Sequence, residues 1–415
     1  MTAQSQSQTG TETAWEPRYA ARAERMRASE IRELLKVLDL PGIISFAGGI
    51  PDPALFPNAE ARAAYTEVLS DPALAASALQ YSVSEGYLPL RQWIVRHMGN
   101  LGVPCTPDNI VITCGSQQGL EFLGRLLISP GDTALVTAPT YLGALQAFAA
   151  YEPRYDELRP EQGNRTPGSY RDAAMAAGAD LKFAYLVPDF ANPTGETLTL
   201  KARHGMLDLV SELDIPLIED SAYAQLRFAG TDLPSLLALD CKRHGDIDQT
   251  RTIYCGTFSK TLAPGLRVGF IVAGRPLIRR LVLIKQASDL NSATINQMVM
   301  HRLAERCFTA QVALSRAHYR SRCAAMLEAL AAHMPKSVRW TKPEGGLFTW
   351  LTLPEGMDGA RLLQRAIAEA KVAFVPGGAF YFDGRGRNTL RLSYSLPNED
   401  TIATGIARLA ALVRS

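Results

Sequence analysis

One lysine stands in a segment whose composition suits covalent chemistry. Lys260 lies between Ser259 and Thr261, within residues 256–269, a segment with Pro and Gly that follows a predicted buried strand. Burial disfavours the charged form of lysine, so a neutral, nucleophilic amine becomes accessible in such a place. That amine can form an imine with an aldehyde. Because an isolated Ser-Lys pair is more often part of a solvated loop, other residues must decide between the two interpretations.

Two further groups of residues have the composition of an anion site. Arg267 follows the lysine and begins the predicted strand 267–273, while Ser116 and Gln117 follow a strand and open a helix. Ser116 can cap that helix while its first backbone N–H groups face outward, and a helix N-terminus of this kind attracts anions. Together with Ser259, a guanidinium group at this place suits a phosphate. A helix cap with no ligand is the alternative for Ser116 alone.

Polar and aromatic residues also follow the other predicted strands. Asp220 ends the predicted strand 215–220, and Tyr223 comes shortly after it. A carboxylate at that edge can hold a proton on a heterocyclic nitrogen, although a helix-capping aspartate is the alternative. Asn192-Pro193-Thr194-Gly195 has the composition of a turn, and Tyr141 can either stack on a flat ring or pack.

The elements that must position these residues alternate between helices and short apolar strands from about residue 88 to 275. Strands are predicted at 109–115, 133–138, 181–187, 215–220, 252–255 and 267–273, with helices at 117–128, 142–151 and 202–213 among them. Strands without polar alternation indicate a sheet covered on both faces. The pattern predicts an α/β fold with a mainly parallel, doubly wound sheet, which binds ligands at the carboxyl ends of its strands.

The pattern changes after about residue 276. The sequence after this point predicts a smaller α+β domain. Its predicted helices lie at 276–290, 297–333, 359–371 and 398–414, and its predicted strands lie within 338–353, 372–375 and 389–394. The predicted organisation is a disordered leader at 1–28, an N-terminal segment at 29–61 that packs on the smaller domain and covers the site, a large domain at 62–295 and the small domain at 296–415.

Composition limits the remaining possibilities. A chain of 415 residues exceeds what one hydrophobic core usually supports, and a net charge of +2 without charge blocks argues against nucleic-acid or membrane partners. The six cysteines are scattered and form no CxxC pair, so neither a disulfide scaffold nor a metal site is predicted. The polar N-terminus and the lack of a long apolar run predict neither a secretory signal nor a membrane helix. A cytoplasmic protein is expected.

Taken in order along the chain, these motifs resemble the fold-type-I aminotransferases of class I and II, which depend on pyridoxal 5′-phosphate (PLP). The resemblance extends from about residue 29 to the C-terminus and rests on Gly115-Ser116-Gln117-Gln118, Tyr141, Asn192-Pro193-Thr194-Gly195, Asp220 with Tyr223, Ser259-Lys260 and Arg267. It implies that Lys260 forms the Schiff base and shuttles protons, and that Asp220 pairs with the pyridinium nitrogen.

The same resemblance implies roles for the other residues. Asn192 and Tyr223 would bond the phenolic oxygen of PLP, Tyr141 would stack on the ring, and the phosphate would be held by Ser116, Gln117, Ser259 and Arg267. Tyr81 matches a tyrosine that reaches the phosphate of the neighbouring subunit, which implies a homodimer with shared active sites. Arg391 matches the arginine that binds the α-carboxylate of the substrate.

A narrower resemblance concerns residues 28–35 and 44–51, which are similar to the branch of 2-aminoadipate and kynurenine aminotransferases. There Gly49 belongs to a loop close to the substrate, and Arg32 matches an arginine that binds a distal carboxylate in some members. The resemblance implies transamination of 2-aminoadipate, glutamate, aromatic or branched-chain L-amino acids with a 2-oxo acid such as 2-oxoglutarate. For Arg32 the alternative is an arginine on a helix surface.

Two other functions are compatible with the same fold: a PLP enzyme that catalyses a different reaction, and a regulatory protein. A PLP-dependent β-lyase or decarboxylase would use the same Lys260 and Asp220, because the carbanion intermediate is shared. A transcription regulator with an aminotransferase-like effector domain would need a helix-turn-helix module, and the residues before about position 30 are not a basic helical array. An enzyme is therefore expected.

Overall fold

A computed structural model describes residues 15–25 and 42–415. Its strands are β1 (Ile44–Ser45), β2 (Ile110–Thr113), β3 (Thr133–Thr137), β4 (Arg154–Leu158), β5 (Leu181–Leu186), β6 (Leu217–Asp220), β7 (Thr252–Thr257), β8 (Gly269–Val272), β9 (Arg339–Trp340), β10 (Phe348–Thr352), β11 (Val372–Ala373), β12 (Val375–Pro376) and β13 (Thr389–Ser393).

The α-helices of the described residues cover both sheets and join them. They are α1 (Asn58–Ser70), α2 (Pro72–Leu79), α3 (Leu88–Asn100), α4 (Ser116–Leu127), α5 (Leu142–Ala149), α6 (Pro167–Ala176), α7 (Leu200–Leu213), α8 (Leu236–His244), α9 (Arg275–Gln286), α10 (Thr294–His333), α11 (Gly359–Arg365) and α12 (Glu399–Arg414).

A central sheet dominates the larger lobe. Within the described chain its strand order is β2-β8-β7-β6-β5-β3-β4, and every neighbouring pair is parallel except the two that involve β8. Helices α4, α5 and α9 pack on one face, and α7 and α8 pack on the other. Because both faces are covered, apolar side chains at successive positions of a strand are all buried. The prediction of a mainly parallel, doubly wound α/β sheet is confirmed.

Three details of this sheet differ from the sequence-based expectations. β4 was not predicted, because its sequence Arg-Tyr-Asp-Glu-Leu has no apolar run; it lies at the sheet edge with Arg154 exposed. β8 runs antiparallel to its neighbours, which the pattern of residues could not show. Arg267 does not begin a strand: its backbone is left-handed, with φ 52°, after the short turn Pro264–Leu266, and β8 begins at Gly269.

The smaller lobe is built on a second sheet with the order β12-β13-β10-β9, in which neighbours are antiparallel. Separately, β1 pairs in parallel with β11, so the chain around Phe46 is attached to this lobe. Phe46 is fully buried in the same core as Ile406 of α12. The residues that enter the site from β1 are thereby fixed to the smaller lobe.

Helix α10 connects the two lobes. With 40 residues it is about 60 Å long at 1.5 Å per residue. Val299 and Leu303 in its first half join the core with α3, whereas Met326 and Leu330 in its second half join the core with α12. No helix among residues 15–25 and 42–415 is long and apolar enough to cross a membrane.

Candidate active site

A cavity of about 320 Å³ opens at the carboxyl ends of β5, β6 and β7, where both lobes meet. Its size falls at the lower end of ordinary small-ligand sites. It gathers most of the residues that the sequence singled out, namely Gly49, Ser116, Gln117, Tyr141, Asn192, Asp220, Tyr223, Ser259, Lys260, Arg267 and Arg391. Residues more than 300 positions apart in the chain thus line one space.

Lys260 follows β7 and extends its amine into this cavity. Its Nζ donates a hydrogen bond to the carbonyl oxygen of Gly49 at 2.9 Å. Burial, together with the guanidinium groups of Arg391 and Arg267, lowers the pKa of Lys260 to about 8, although the charge of Asp220 acts in the opposite direction. A neutral, nucleophilic amine is therefore accessible close to neutral pH.

Asp220 lies at the end of β6 and is only 3% exposed. The hydroxyl of Tyr185 donates to its Oδ2 at 2.8 Å, whereas Oδ1 has no hydrogen-bond partner among the described residues. Burial raises the pKa of Asp220 to about 6, and the bond from Tyr185 opposes that rise. A buried carboxylate oxygen without a partner, on the wall of a cavity, calls for a donor on a ligand.

The start of α4 and the turn before β8 form one corner of the cavity. Gly269 lies so close to this helix start that a Cβ on it would be 2.6 Å from the carbonyl carbon of Gly115 and 2.7 Å from the nitrogen of Ser116. Within the described residues, Arg267 donates hydrogen bonds to the backbone oxygens of Cys114 and Pro264 and has no carboxylate partner. A cation beside a helix N-terminus is suited to bind a phosphate.

Hydroxyl and amide groups complete this corner. Thr257 Oγ1 donates to Ser259 Oγ at 2.9 Å, which orients that hydroxyl. The side-chain amide of Gln117 donates to the carbonyl oxygen of Gly143 at 2.6 Å, so this side chain is already engaged within the protein. The backbone N–H groups of Ser116 and Gln117 lie in the first turn of α4 and lack intrahelical acceptors. They remain available to an anion.

Two tyrosines and an asparagine line the middle of the cavity. Burial raises the pKa of Tyr141 to about 12 and that of Tyr223 still further, so both stay neutral phenols that can donate. The ring of Tyr223 packs edge-on against Phe348, with 5.7 Å between centroids. Asn192 Oδ1 accepts a hydrogen bond from Arg391 Nη1 at 2.8 Å. These contacts fix the polar groups that face a flat ligand.

Arg391 on β13 bounds the opposite side of the cavity and is 1% exposed. Its Nη2 donates to the carbonyl oxygen of Ala47 at 2.7 Å, and its Nε has no partner among the described residues. The guanidinium lies over the ring of Phe348, at 4.3 Å from its centroid, and near that of Phe380. Burial lowers the pKa of Arg391 to about 10, so the group stays charged at neutral pH. A buried cation without a carboxylate partner suits an anionic substrate.

One candidate residue of the described chain, Tyr81, lies away from this cavity. Tyr81 is 79% exposed and does not line the cavity of this chain. Arg32 falls outside the described residues. Conversely, Tyr185 is not among the residues predicted from the sequence, although it is fully buried and its hydroxyl bonds to Asp220. The signal was present: a tyrosine in an apolar strand that is covered on both faces needs a partner for its hydroxyl.

Comparison with known proteins identifies the class. Residues 55–409 match the family model for aminotransferases of class I and II, and the chain belongs to this family. The chain is 41% identical over 400 residues to the 2-aminoadipate transaminase of Thermus thermophilus, covering 96% of this chain and 97% of that protein.

Solved structures place the chain in a narrower group. It resembles the kynurenine aminotransferase of Pyrococcus horikoshii, with a TM-score of 0.88 and 40% identity over 96% of this chain and 97% of that one. It also resembles the α-aminoadipate aminotransferase of Thermus thermophilus, solved with N-(5′-phosphopyridoxyl)-L-leucine, with a TM-score of 0.86 and 40% identity over 97% and 98% of the chains. The predicted branch is confirmed.

The protein is accordingly a PLP-dependent transferase of fold type I that transaminates amino acids with 2-oxo acids. This confirms the predicted cofactor and reaction class. The cavity fits PLP, because its unpartnered groups match the three polar parts of that molecule. Asp220 Oδ1 can accept from a ring nitrogen, the corner at Arg267 can hold a phosphate, and Lys260 can react with an aldehyde.

Proposed function

We propose that this cavity transaminates 2-aminoadipate, glutamate, and aromatic or branched-chain L-amino acids, with 2-oxoglutarate as an acceptor. One observation carries the assignment of the site: Asp220 Oδ1 and Arg391 Nε, both buried and without partners among the described residues, line the same cavity as Lys260. The names of the similar proteins, which act on aminoadipate and kynurenine, support the choice of substrates.

Lys260 is the proposed base. Bound PLP withdraws electrons from the Cα of the amino acid and so acidifies its C–H bond. With the cofactor bound, Lys260 Nζ would take the proton from Cα of the substrate and pass it on to the cofactor. Its lowered pKa of about 8 suits this role, because the amine must accept and donate a proton near neutral pH.

Asp220 is proposed to hold the proton on the ring nitrogen of the cofactor, with Asn192 and Tyr223 at the phenolic oxygen and Tyr141 stacked on the ring. The geometry suits this arrangement, since these side chains line the middle of the cavity and both phenols stay neutral. The phosphate is assigned to the corner formed by Ser116, Gln117, Ser259 and Arg267.

Arg391 is proposed to bind the α-carboxylate of the substrate, with Asn192 and Gly49 beside it. A planar guanidinium forms two parallel bonds to a carboxylate and thus fixes the direction of the Cα–H bond. Asn192 supports this role because it already holds Arg391 Nη1. For 2-aminoadipate and glutamate, we propose that Arg32 binds the distal carboxylate, within the predicted N-terminal segment 29–61 that covers the site.

The active form is proposed to be a homodimer in which Tyr81 reaches the phosphate of the neighbouring subunit. Tyr81 lies among other exposed apolar side chains, Leu79, Val83 and Leu290, and exposed apolar patches mark interaction surfaces. Ser84 Oγ donates to the carbonyl oxygen of Leu290 at 2.6 Å, which joins the two segments that carry the patch. In this proposal each subunit consists of the leader 1–28, the N-terminal segment 29–61, the large domain 62–295 and the small domain 296–415.

Mixed dimers can test the shared site. In a dimer of Lys260→Ala with Tyr81→Phe subunits, one site carries both changes and the other carries neither, if Tyr81 acts across the interface. Activity should then reappear on mixing two weak variants, to about half of the wild-type activity per mixed dimer. Failure to recover any activity, with mixed dimers present, would contradict the shared site.

The substrate assignment is tested by adding single amino acids to the PLP enzyme and following the visible absorbance of the bound cofactor. Transamination should leave the cofactor in its amine form and release a 2-oxo acid without ammonia. Release of ammonia would indicate elimination instead. If neither 2-aminoadipate nor glutamate changed the absorbance, the proposed donors would be wrong.

A cytoplasmic location is also proposed. All six cysteines lie in the described part of the chain and none is in a disulfide, which suits a reducing compartment. Fractionation of the native host, with the enzyme followed by its activity, tests this location.

A further inference from the structure

Tyr185 lies near the carboxyl end of β5, one residue before its last residue Leu186. In the register of the sheet it lies opposite Ile218 of β6, and Leu186 lies opposite Glu219. Side chains alternate along strands, so Tyr185 shares a face with Ile218 and Asp220. Its ring packs edge-on against Phe148 of α5, with 5.8 Å between centroids. The hydroxyl is thus directed along the sheet towards the end of β6.

There it makes a single contact that matters for chemistry. The hydroxyl donates to Asp220 Oδ2 at 2.8 Å, and both side chains are at most 3% exposed. Burial and the neighbouring Asp220 keep the pKa of Tyr185 well above its usual value, so the phenol remains a donor. The carboxylate is consequently held through Oδ2, whereas Oδ1 has no hydrogen-bond partner among the described residues, and Asp220 lines the cavity.

Other titratable groups near Asp220 do not duplicate this bond. Those that interact with its charge are Lys260 after β7, Cys255 on β7, and Tyr141 and Tyr223 in the loops of the cavity. None of them donates a hydrogen bond to Asp220 within the described residues, and burial raises the pKa of Cys255, Tyr141 and Tyr223 above their usual values. Tyr185 is therefore the side chain that most opposes the effect of burial on the pKa of Asp220, followed by the backbone N–H of Ala222 and the charge of Lys260.

The position of a shared proton follows from the basicity of this carboxylate. A proton between Asp220 and a ring nitrogen resides mainly on the more basic partner. A hydrogen bond to the carboxylate stabilises its charged form and makes it a weaker base. With the donor present the proton stays on the ring; without it the proton moves towards the carboxyl group.

We propose that Tyr185 is a positioning residue that holds Asp220 in its charged, oriented form and so keeps the shared proton on the ring nitrogen of the cofactor. This inference rests on the proposed placement of Asp220 against that nitrogen. This role explains why the buried position 185 holds a tyrosine, although a phenylalanine would fill the same space.

Nuclear magnetic resonance of the holoenzyme reports the proton directly. The enzyme is reconstituted with PLP labelled with ¹⁵N at the ring, as wild type, Tyr185→Phe and Asp220→Asn. Asp220→Asn removes the anionic partner and should give the resonance of a neutral ring. Tyr185→Phe should shift the wild-type resonance towards that value. Losing a hydrogen bond to the charged carboxylate should raise the pKa of Asp220 by about one to two units.

Kinetics and a matched control separate this effect from a change in packing. Tyr185→Phe should lower kcat about tenfold with little change in the KM of the amino acid. Tyr170→Phe removes another fully buried tyrosine hydroxyl, which donates to the carbonyl oxygen of Glu157 at 2.9 Å, and should leave the ring resonance unchanged. Both variants should lose similar thermal stability.

Fluorotyrosine at position 185 keeps the shape of the side chain and makes its hydroxyl a stronger donor. It should retain the resonance of a protonated ring, and this variant also serves if Tyr185→Phe does not fold. An unshifted resonance in Tyr185→Phe, or an equal shift in the fluorotyrosine enzyme, would overturn the role of Tyr185. No change in Asp220→Asn would instead overturn the placement of Asp220, and the inference with it.

Discussion

A methyl group at Gly269 would meet the backbone where β2 ends and α4 begins. Its Cβ would be 2.6 Å from the carbonyl carbon of Gly115 and 2.7 Å from the nitrogen of Ser116. Both contacts are with backbone atoms, which cannot turn aside as a flexible side chain can. Because Gly269 also pairs with Thr113 of β2, the strands cannot separate freely. Gly269→Ala should therefore displace the start of α4.

The size of the effect follows from this geometry. Ordinary contact needs roughly 3.4 Å or more, so the helix start must move by about 0.8 Å relative to β8. Displacing a binding group by about 1 Å can lower its effectiveness 100-fold, and crowding of a packed interior costs about 1–3 kcal/mol of stability. We expect the Kd for PLP to rise between 10-fold and 100-fold.

Reconstitution of the apoenzyme with PLP, followed by visible absorbance, measures this Kd. Gly265→Ala is the matched control, because it lies in the turn just before Arg267 and a Cβ there would meet nothing within 4 Å. The control should bind PLP as the wild type does. If Gly269→Ala bound PLP as tightly as Gly265→Ala, with equal thermal stability, the steric argument and the assignment of this corner to the phosphate would both be refuted.

The remaining predictions concern charged residues. Burial raises the pKa of Asp220 to about 6, so the stability this group contributes is present below about pH 4 and is lost as the pH rises through about 6. Asp220→Asn should therefore stabilise the apoenzyme by roughly 2 kcal/mol at pH 7.5 in urea unfolding, yet abolish most turnover. Arg391→Lys loses the planar fork, and steady-state kinetics should show kcat/KM about 100-fold lower. Arg32→Ala should lower kcat/KM for 2-aminoadipate about tenfold or more and leave leucine unchanged.

Each of these has an outcome that contradicts it. For Asp220→Asn, a stability gain that is the same at pH 4 and pH 7.5 would show that the raised pKa of Asp220 is not the cause of the gain. Wild-type kinetics in Arg391→Lys would contradict the proposal that the guanidinium of Arg391 binds the α-carboxylate through two parallel bonds. Equal losses for 2-aminoadipate and leucine in Arg32→Ala would indicate a general defect of the N-terminal segment in place of a distal contact.

Much of the fold and the class of protein followed from local features. The apolar strands of the central sheet could be predicted because burial on both faces leaves runs of Val, Ile and Leu. The residues after these strands, such as Lys260 after β7 and Asp220 at the end of β6, could be expected to converge because parallel strands present their carboxyl ends at one edge. The spacing of several such motifs then identified the family before any contact was known.

Other elements could not be predicted because long-range pairing decides them. The edge strand β4 has a polar sequence and exists through its pairing with β3. The antiparallel direction of β8 is set by its neighbours β2 and β7. The left-handed backbone of Arg267 is likewise invisible in the sequence, since arginine has no preference for that conformation.

The amino-acid sequence by itself determined the kind of chemistry: a lysine, an aspartate and two arginines, in an order that suits PLP and a carboxylate. Only the tertiary structure decided how far the pKa of each group is shifted and which partner each group has. The pKa of Lys260 falls and that of Asp220 rises because folding removes water from both. Tyr185 gains its partner across neighbouring strands. Desolvation and hydrogen bonding depend on neighbours that are distant in the chain, and no local pattern contains them.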